Sequence, residues 1–249
     1  MKYFYIFFLL IILSCSSHNE SQEIQTTQRI DLGEIENDEI LEASGLASSS
    51  FNQNILWTHN DSGDLNRIFA MDINGNHVGE FLLNNIENRD WEDIAIGPGP
   101  MEGVDYIFVG DIGDNRSEND VKHIYRFLEP QVNTNNQSSE LNIDNIESIS
   151  YQYEDGNRDA ETLIVDPITK DIIIISKREE SAVHVYLLPF PHDTENVLTA
   201  QLIMTKDFYP NINFNSSQWI VAGDISKDGS KILIKSYSDI FYFTRGRNQ

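Results

Sequence analysis

The same order of segments recurs four times along the chain, and this repetition constrains the fold more than any other feature. Each unit opens with a small or acidic residue two places before an aliphatic one, and the openings recur at intervals of roughly 50 to 70 residues. The openings are Glu42-Ala43-Ser44-Gly45-Leu46-Ala47, Asp90-Trp91-Glu92-Asp93-Ile94-Ala95, Asp159-Ala160-Glu161-Thr162-Leu163-Ile164 and Val221-Ala222-Gly223-Asp224-Ile225-Ser226.

Each opening is followed by further short runs of β-branched and aromatic residues, separated by clusters of Asn, Asp, Gly and Ser. Such runs predict strands, and few segments show the 3.6-residue period of a helix. The second strands are predicted at 55–57, 106–109, 172–175 and 232–234, and the third at 68–71, 124–127, 183–186 and 240–243. A fourth strand is predicted in the first three units only, at 77–83, 146–153 and 200–208.

Repeated units of four strands are typical of the blades of a β-propeller. A β-sandwich would explain the strands, but it would not explain why one four-strand order recurs. The sequence therefore predicts an all-β fold, a β-propeller with about four four-stranded blades, over residues 29–249. Residues 29–35 are predicted to form a lone strand that completes the last blade and closes the ring.

The first 15 residues have the pattern of a bacterial export signal. Lys2 supplies a positive charge, and an apolar run at 3–13 is too short for a membrane span. The run ends in Ile12-Leu13-Ser14-Cys15, which resembles the lipobox of bacterial lipoproteins and predicts lipidation of Cys15 after cleavage. The alternative is a plain secretory signal with an incidental cysteine. Polar residues 16–28 are predicted to form a flexible tether, so the expected location is the cell envelope, on a periplasmic or surface membrane face.

The composition limits the classes of partner. A net charge of −23 argues against nucleic acid, because binding phosphates requires clustered lysines and arginines. Cys15 is the only cysteine, so the chain cannot form an internal disulfide. The expected partners are the membrane, through the lipid anchor, and a small-molecule or protein ligand.

Several motifs resemble a family of bacterial exported propeller proteins that are remotely similar to the SdiA-regulated and esterase-like-phytase propellers. The matching stretches are 60–64, 90–98, 110–115, 124–130 and 158–167, including Asp90-Trp91-Glu92-Asp93 and Gly110-Asp111-Ile112-Gly113-Asp114-Asn115. The resemblance covers roughly residues 38 to 245 and implies a propeller fold without an established activity. Family members carry a further repeat after the fourth unit, so the resemblance implies a ring that either lacks one blade or closes with four.

The propeller prediction brings charged residues together. The first and second strands of a blade run antiparallel, so the start of one lies beside the end of the other at the same end of the channel. The candidate ligand or metal residues gathered at this mouth are Glu42, Asn60, Asp61, Asp90, Glu92, Asp111, Asp114, Glu161, Lys177 and Arg178.

These side chains support more than one interpretation. Carboxylates and amide oxygens are the ligands that Ca²⁺ or another divalent cation prefers, and Asp111, Asp114, Asn115 and Glu118 share one loop. The same loop residues are also common turn formers that bond their own backbone. In a third interpretation, Glu92 and Glu161 pair across blades with Lys177, Arg178 and Lys235.

No motif in the chain defines a reaction. The histidines show no zinc-ligand spacing, and there is no Gly-x-Ser-x-Gly elbow, P-loop or dinucleotide fingerprint. The sequence therefore predicts a lipid-anchored propeller that binds a ligand or protein partner at an acidic channel mouth, without a defined catalytic residue. The alternative is a divalent-cation-dependent hydrolase acting on a phosphoester or lactone, in which Glu92, Asp111, Asp114 and Glu161 hold the metal.

Overall fold

The computed structural model describes residues 31–132, 140–179, 182–210 and 215–246. In these ranges the regular structure consists of β-strands and one short 3₁₀ turn at Ser216–Gln218. The predictions for the signal segment, for Cys15 and for the tether lie outside the described residues.

The strands form four blades in chain order. Blades 1 and 3 each consist of four strands that are consecutive in the chain. Blade 2 also has four strands, but one strand of the neighbouring sheet comes between its third and fourth. In the described chain, blade 4 has three strands. Blade 1 contains β1 (Ala43–Ser48), β2 (Ile55–Asn60), β3 (Arg67–Asp72) and β4 (His77–Leu83); blade 2 contains β5 (Trp91–Pro98), β6 (Asp105–Asp111), β7 (Lys122–Leu128) and β9 (Glu147–Tyr153); blade 3 contains β10 (Ala160–Val165), β11 (Ile172–Ser176), β12 (Val183–Leu188) and β13 (Leu198–Lys206); blade 4 contains β14 (Ile220–Ile225), β15 (Lys231–Ser236) and β16 (Ile240–Thr244). The predicted β-propeller of four-stranded blades is confirmed.

One strand was not predicted. β8 (Glu140–Ile143) pairs in parallel with β4, so part of the connection between the third and fourth strands of blade 2 extends the outer edge of blade 1. A second parallel pair, between β13 and β9, joins the outer edges of blades 2 and 3. Both links are between strands far apart in sequence, so no local period in the chain announces them.

Alternate residues on each strand face opposite neighbouring blades, as the two-residue period of a strand requires. Between blades 1 and 2, Trp57 and Phe81 share a core with Trp91 and Phe127. Between blades 2 and 3, the core contains Phe108, Tyr151, Ile174 and Tyr186. Between blades 3 and 4, it contains Ile175, Val185 and Ile234. Each blade therefore depends on apolar packing against the next.

The first strand of every blade is innermost, and these inner strands are neighbours in the order β1, β5, β10 and β14. The approach of β1 to β5 requires Gly45, because a Cβ atom there would lie 2.5 Å from the backbone nitrogen of Ile94. At one end of the channel, the first residues of the inner strands pair with the last residues of the second strands. These pairs are Ala43 with Asn60, Trp91 with Asp111, Ala160 with Ser176, and Ile220 with Ser236.

The predicted strand at residues 29–35 is wrong for the part that the structure describes, since residues 31–40 have no strand. Gly33 has a φ of 108°, in the left-handed region, which interrupts an extended conformation. The Glu36 backbone amide then donates to the Gly75 carbonyl, in the turn between β3 and β4. This segment therefore lies against blade 1 and does not complete blade 4. In the described part of the chain, no helix has the length and apolarity needed to cross a membrane.

We expect Ile174→Ala to lower the free energy of unfolding by about 2 to 5 kcal/mol, because it leaves a cavity between blades 2 and 3. Ile174 is 0% exposed and belongs to that core. The matched control is Ile168→Ala, where the side chain is 64% exposed and the expected loss is under about 0.5 kcal/mol. Urea unfolding curves measure both, and equal losses would contradict the assigned blade interface.

Candidate functional site

The mouth of the channel, where the inner strands begin, contains a group of three carboxylates from two blades. Asp61 follows β2 in blade 1, while Asp90 and Glu92 stand at the start of β5 in blade 2. One carboxylate oxygen from each of the three lies within 4.8 Å of the others. Glu92 is buried, and Asp61 and Asp90 are half-buried. We call these residues the carboxylate cluster.

Gly113 leaves the space that Asp90 and Glu92 occupy. A Cβ atom at this position would lie 2.5 Å from Oδ2 of Asp90 and 2.5 Å from Oε1 of Glu92. The Gly113 amide also donates to the Asp90 carbonyl at 3.1 Å. A glycine at position 113 is therefore needed for the Asp90 and Glu92 carboxylates to lie side by side.

The cluster has little compensating positive charge. Burial and the negative charges of Asp61, Asp159 and Asp111 raise the pKa of Asp90 to about 6. Burial, Asp61 and Asp90 raise the pKa of Glu92 as well, although Lys177 opposes the shift. No hydrogen bond or salt bridge to the Glu92 carboxylate is present within the described ranges. Burial and mutual repulsion therefore favour the protonated forms of Asp90 and Glu92.

Lys177 and Arg178 lie beside the cluster but bond to other carboxylates. Lys177 forms a salt bridge with Glu161, and Arg178 forms one with Asp159. Both cations also lie over the Trp219 ring, with the Arg178 guanidinium carbon 4.6 Å from its centroid.

These pairs correct the predicted ion-pair belt between blades. Lys177 and Glu161 belong to the adjacent strand ends of β11 and β10, so the salt bridge lies within blade 3. Neither Glu92 nor Lys235 forms a salt bridge with any residue that the structure describes. The start of β10 pairs directly with the end of β11, which places Lys177 beside Glu161.

Three other predicted site residues already have partners in the fold. Asn60 bonds to the Glu42 amide, the Glu39 carbonyl and Asp64. Asp111 accepts from the Asp90 amide at 3.0 Å.

Asp114 accepts from the amides of Glu118 and Asn119, both at 2.9 Å, and from Lys122 at 2.5 Å. The loop around Asp114 therefore uses its carboxylate to bond its own backbone and a buried lysine. These bonds match the interpretation in which the acidic residues of the loop are turn formers that bond their own backbone.

Sequence reasoning missed Asp93, which links the inner strands β5 and β10. Its carboxylate accepts from the Leu163 amide of blade 3 at 2.9 Å and from the Ile94 amide at 2.9 Å. Burial raises its pKa, against these hydrogen bonds. The recurrence of Asp at the equivalent place in the fourth opening, Asp224, was the available signal.

A cavity of about 730 Å³ opens beside the carboxylate cluster, between blades 4 and 1. Asp61, Glu92, Glu161 and Lys177 line one part of it. The wall is completed by the exposed start of β1, which includes Glu42, and by the face of β15 that bears Leu233 and Lys235. Leu46, Tyr237 and Ile240 also line the cavity. The arrangement can hold a ligand that presents a positive charge to the carboxylates and an apolar surface to the other walls.

No protein-family model matches this chain, and no curated protein sequence matches it. Among solved structures, it is similar to hydrazine synthase of Kuenenia stuttgartiensis, with 10% identity over 78% of this chain and 43% of that one, at a TM-score of 0.39. It is similar to Chaetomium thermophilum Sqt1 bound to the N-terminus of the ribosomal protein L10, with 15% identity over 82% and 45% of the two chains, at a TM-score of 0.38.

A chain of the mitotic checkpoint complex is also similar, with 12% identity over 80% of this chain and 62% of that chain, at a TM-score of 0.37. The chain thus spans less than two thirds of the length of each of these proteins. Likenesses this weak say nothing about function. The resemblance to SdiA-regulated and esterase-like-phytase propellers stays a prediction.

We expect Glu92→Gln to change how stability depends on pH. In the folded chain the pKa of Glu92 lies above the value of about 4.3 that an unfolded glutamate has. The free energy of unfolding therefore falls as pH rises from the unfolded pKa through the folded one, by about 1.4 kcal/mol for each pH unit between the two. The variant should lose less stability than the wild type between about pH 5 and pH 8, as measured by urea unfolding. An exposed control, Glu102→Gln, should follow the wild-type profile, and a Glu92→Gln profile parallel to the wild type would contradict the assigned repulsion.

Proposed function

We propose that this protein is a lipid-anchored binding propeller of the bacterial cell envelope, which takes a positively charged ligand, or a cationic group of a protein partner, at its channel mouth. The observation that carries the proposal is the carboxylate cluster, with its three oxygens within 4.8 Å, at the edge of a cavity of about 730 Å³.

The electrostatics of the cluster favour a cation. Two unit charges about 4 Å apart interact by about 4 kcal/mol at the effective dielectric constant of a protein surface. Lys177 attracts Glu92, but its salt bridge is to Glu161 and it also interacts with Asp159 and Asp61, so its single charge does not neutralise Asp61, Asp90 and Glu92 together. A bound cation would lower the pKa values of Asp90 and Glu92 and remove the repulsion that burial strengthens.

The cavity favours a ligand larger than a bare ion. Its volume lies within the range of about 300 to 1,000 Å³ that is typical of small-molecule sites. Leu46, Leu233 and Ile240 give it apolar walls, and the Tyr237 ring stands over Lys177. A primary amine or guanidinium on an apolar body fits this combination of charge and surface.

The second candidate is a divalent-cation-dependent hydrolase of phosphoesters or lactones. It is favoured by the same three oxygen donors, which could hold a metal that polarises the substrate and activates water. Asp111 accepts from the Asp90 amide and Asp114 from two amides of its own loop, so the metal would be held by Asp61, Asp90 and Glu92. Glu161 would act only after release from Lys177.

The anchor is supported by the sequence alone. Lys2, the apolar run at 3–13 and the Leu13-Ser14-Cys15 ending together match a lipoprotein signal. Lipid chains on Cys15 would hold the propeller at a membrane face through the polar tether at 16–28, since each buried methylene contributes about 0.8 kcal/mol.

We expect Ca²⁺, or an alkylamine such as n-butylammonium, to raise the melting temperature of the wild-type protein. A ligand present at about 100 times its dissociation constant adds about 2.7 kcal/mol to the free energy of unfolding. Glu92→Gln should reduce the shift, because it removes a carboxylate that a bound cation would deprotonate and pair with, and Glu102→Gln at the other end of blade 2 should leave it unchanged. Differential scanning fluorimetry at pH 7 measures all three.

An enzyme assay on the same proteins distinguishes the two candidate functions. Turnover of p-nitrophenyl phosphate or of γ-butyrolactone that requires Ca²⁺, Mg²⁺ or Mn²⁺ and is lost in Glu92→Gln would replace the binding proposal by the hydrolase. No thermal shift with any of these cations or with the alkylamine would remove both.

We expect Cys15→Ala to release the protein from membranes of an expressing bacterium. The thiol is the proposed acceptor of the lipid, so the variant should move from the detergent phase to the aqueous phase in Triton X-114 partitioning. Partitioning unchanged by the substitution would contradict the anchor and would leave the channel-mouth proposal standing.

A further inference from the structure

The ammonium group of Lys177 lies among two aromatic rings and a carboxylate. Its nitrogen is 5.6 Å from the centroid of the Trp219 ring and 5.5 Å from that of the Tyr237 ring. It also forms a salt bridge with Glu161. Aromatic faces attract a cation, and a carboxylate accepts charge-assisted hydrogen bonds from its N–H groups. We call Glu161, Trp219 and Tyr237 the ammonium subsite.

Two blades position the ammonium subsite. Glu161 and Lys177 come from the paired ends of β10 and β11 in blade 3. Trp219 stands between the 3₁₀ turn at Ser216–Gln218 and β14, and Tyr237 lies in the turn between β15 and β16. The subsite therefore lies between blades 3 and 4, which share an apolar core.

The ammonium subsite adjoins the cavity at the channel mouth. Glu161, Lys177 and Tyr237 all line that cavity, and Tyr237 is 57% exposed. The Lys177 side chain is only 6% exposed, so it fills the subsite. A lysine stem is a flexible chain of four carbons, so Lys177 can turn out of the subsite without a movement of the backbone. A ligand in the cavity can then take its place.

The electrostatics favour a cation at this position without requiring that it be Lys177. The negative charges of Glu92, Asp159 and Asp61 attract the Lys177 ammonium. Burial lowers the pKa of Lys177, and the positive charge of Arg178 acts in the same direction. An exchange of Lys177 for a ligand ammonium keeps the attractions at the subsite and replaces one buried cation by another. The exchange therefore needs little net electrostatic energy.

We infer that Lys177 occupies the place of the ligand's ammonium group, and that a ligand bearing an unbranched primary ammonium displaces it from the ammonium subsite. The ligand donates N–H groups to Glu161 and presents its charge to the Trp219 and Tyr237 rings, as Lys177 does. The inference rests on the channel-mouth proposal, and it narrows the ligand of that proposal to a lysine side chain of a partner protein or a free alkylamine.

Isothermal titration calorimetry with n-butylammonium, which has the carbon chain and the charge of a lysine side chain, tests the displacement. Lys177→Ala removes the competing ammonium, so it should bind n-butylammonium tenfold or more tightly than the wild type does. Lys177→Met should bind it threefold or more tightly, because the charge is gone while the stem still packs. Lys227→Ala is the control, since it removes the same charge where the side chain is 80% exposed and outside the cavity, and it should change the affinity less than twofold.

A ring substitution locates the bound amine. In the Lys177→Ala protein, Tyr237→Leu should weaken n-butylammonium threefold or more, because the cation loses one aromatic face. Tyr237→Phe keeps the ring and should change the affinity less than twofold. Tyr237 is exposed, so neither change should lower the melting temperature. Lys177→Met is the background for this pair if Lys177→Ala does not fold.

A second probe separates the two sources of the ammonium group. Nα-acetyl-lysine methylamide carries a lysine side chain on a neutral backbone. If it binds Lys177→Ala within threefold of n-butylammonium, the subsite takes a lysine side chain of a partner protein. If n-butylammonium alone binds, the subsite takes a free alkylamine. Both results support the ammonium subsite.

The inference is overturned if the wild type binds n-butylammonium and neither Lys177 variant binds it more tightly, a result that leaves the channel-mouth proposal standing. Equal affinity of the variants for n-butanol, or equal effects of Tyr237→Leu and Tyr237→Phe, would also overturn it. Binding by the variants and not by the wild type would do the same, because Lys177 would then never be displaced. If no protein binds n-butylammonium, the inference fails, and the Ca²⁺ titration decides the channel-mouth proposal separately.

Discussion

The antiparallel pairing of the first two strands within each blade is the constraint on which the rest of the molecule depends. It fixes the start of one strand beside the end of the next, so every blade delivers its opening residues and its second-strand terminus to the same end of the channel. Residues separated by 29 positions, such as Asp61 and Asp90, become neighbours because two blades repeat the same pairing. The carboxylate cluster is therefore a consequence of repetition, and it needs no local motif of its own.

Buried carboxylates elsewhere in the molecule show what a structural role looks like. Glu129 accepts hydrogen bonds from Trp57 at 2.8 Å and from the Ser50 hydroxyl at 2.7 Å, and so ties blade 2 to blade 1. Asp93 accepts two backbone amides, and Asp114 accepts two amides and a lysine. Buried charges are expected to have such partners. Glu92 is as buried as these residues, yet its charged neighbours are mainly other carboxylates, with Lys177 as the opposing charge, and this contrast is the basis of the proposal that a ligand brings positive charge to the mouth.

The sequence predicted the elements whose signals are local and repeated. The strand order of each blade followed from alternating apolar runs, and the gathering of Asp61, Asp90 and Glu92 followed from that order. β8 was missed because it pairs with a strand 60 residues earlier, and the strand at 29–35 was wrong because Gly33 turns the chain toward blade 1. Asp111 and Asp114 could not be separated from the cluster residues by sequence, since the difference lies in which donors surround each carboxylate. Pairing partners and hydrogen-bond donors are properties of the folded chain, and residue type alone does not contain them.

Screening decides how far the charge of this acidic chain acts at the mouth. At physiological ionic strength the Debye length is about 8 Å, so the charge felt at a surface is set by the side chains within that distance and much less by the net charge of the chain. The field at the mouth therefore comes mainly from Asp61, Asp90 and Glu92, whose carboxylates lie within 4.8 Å of one another, and from the lysine and arginine beside them. A cation bound there, as proposed, would be held less tightly as salt is added, because the attraction between partly exposed charges is screened.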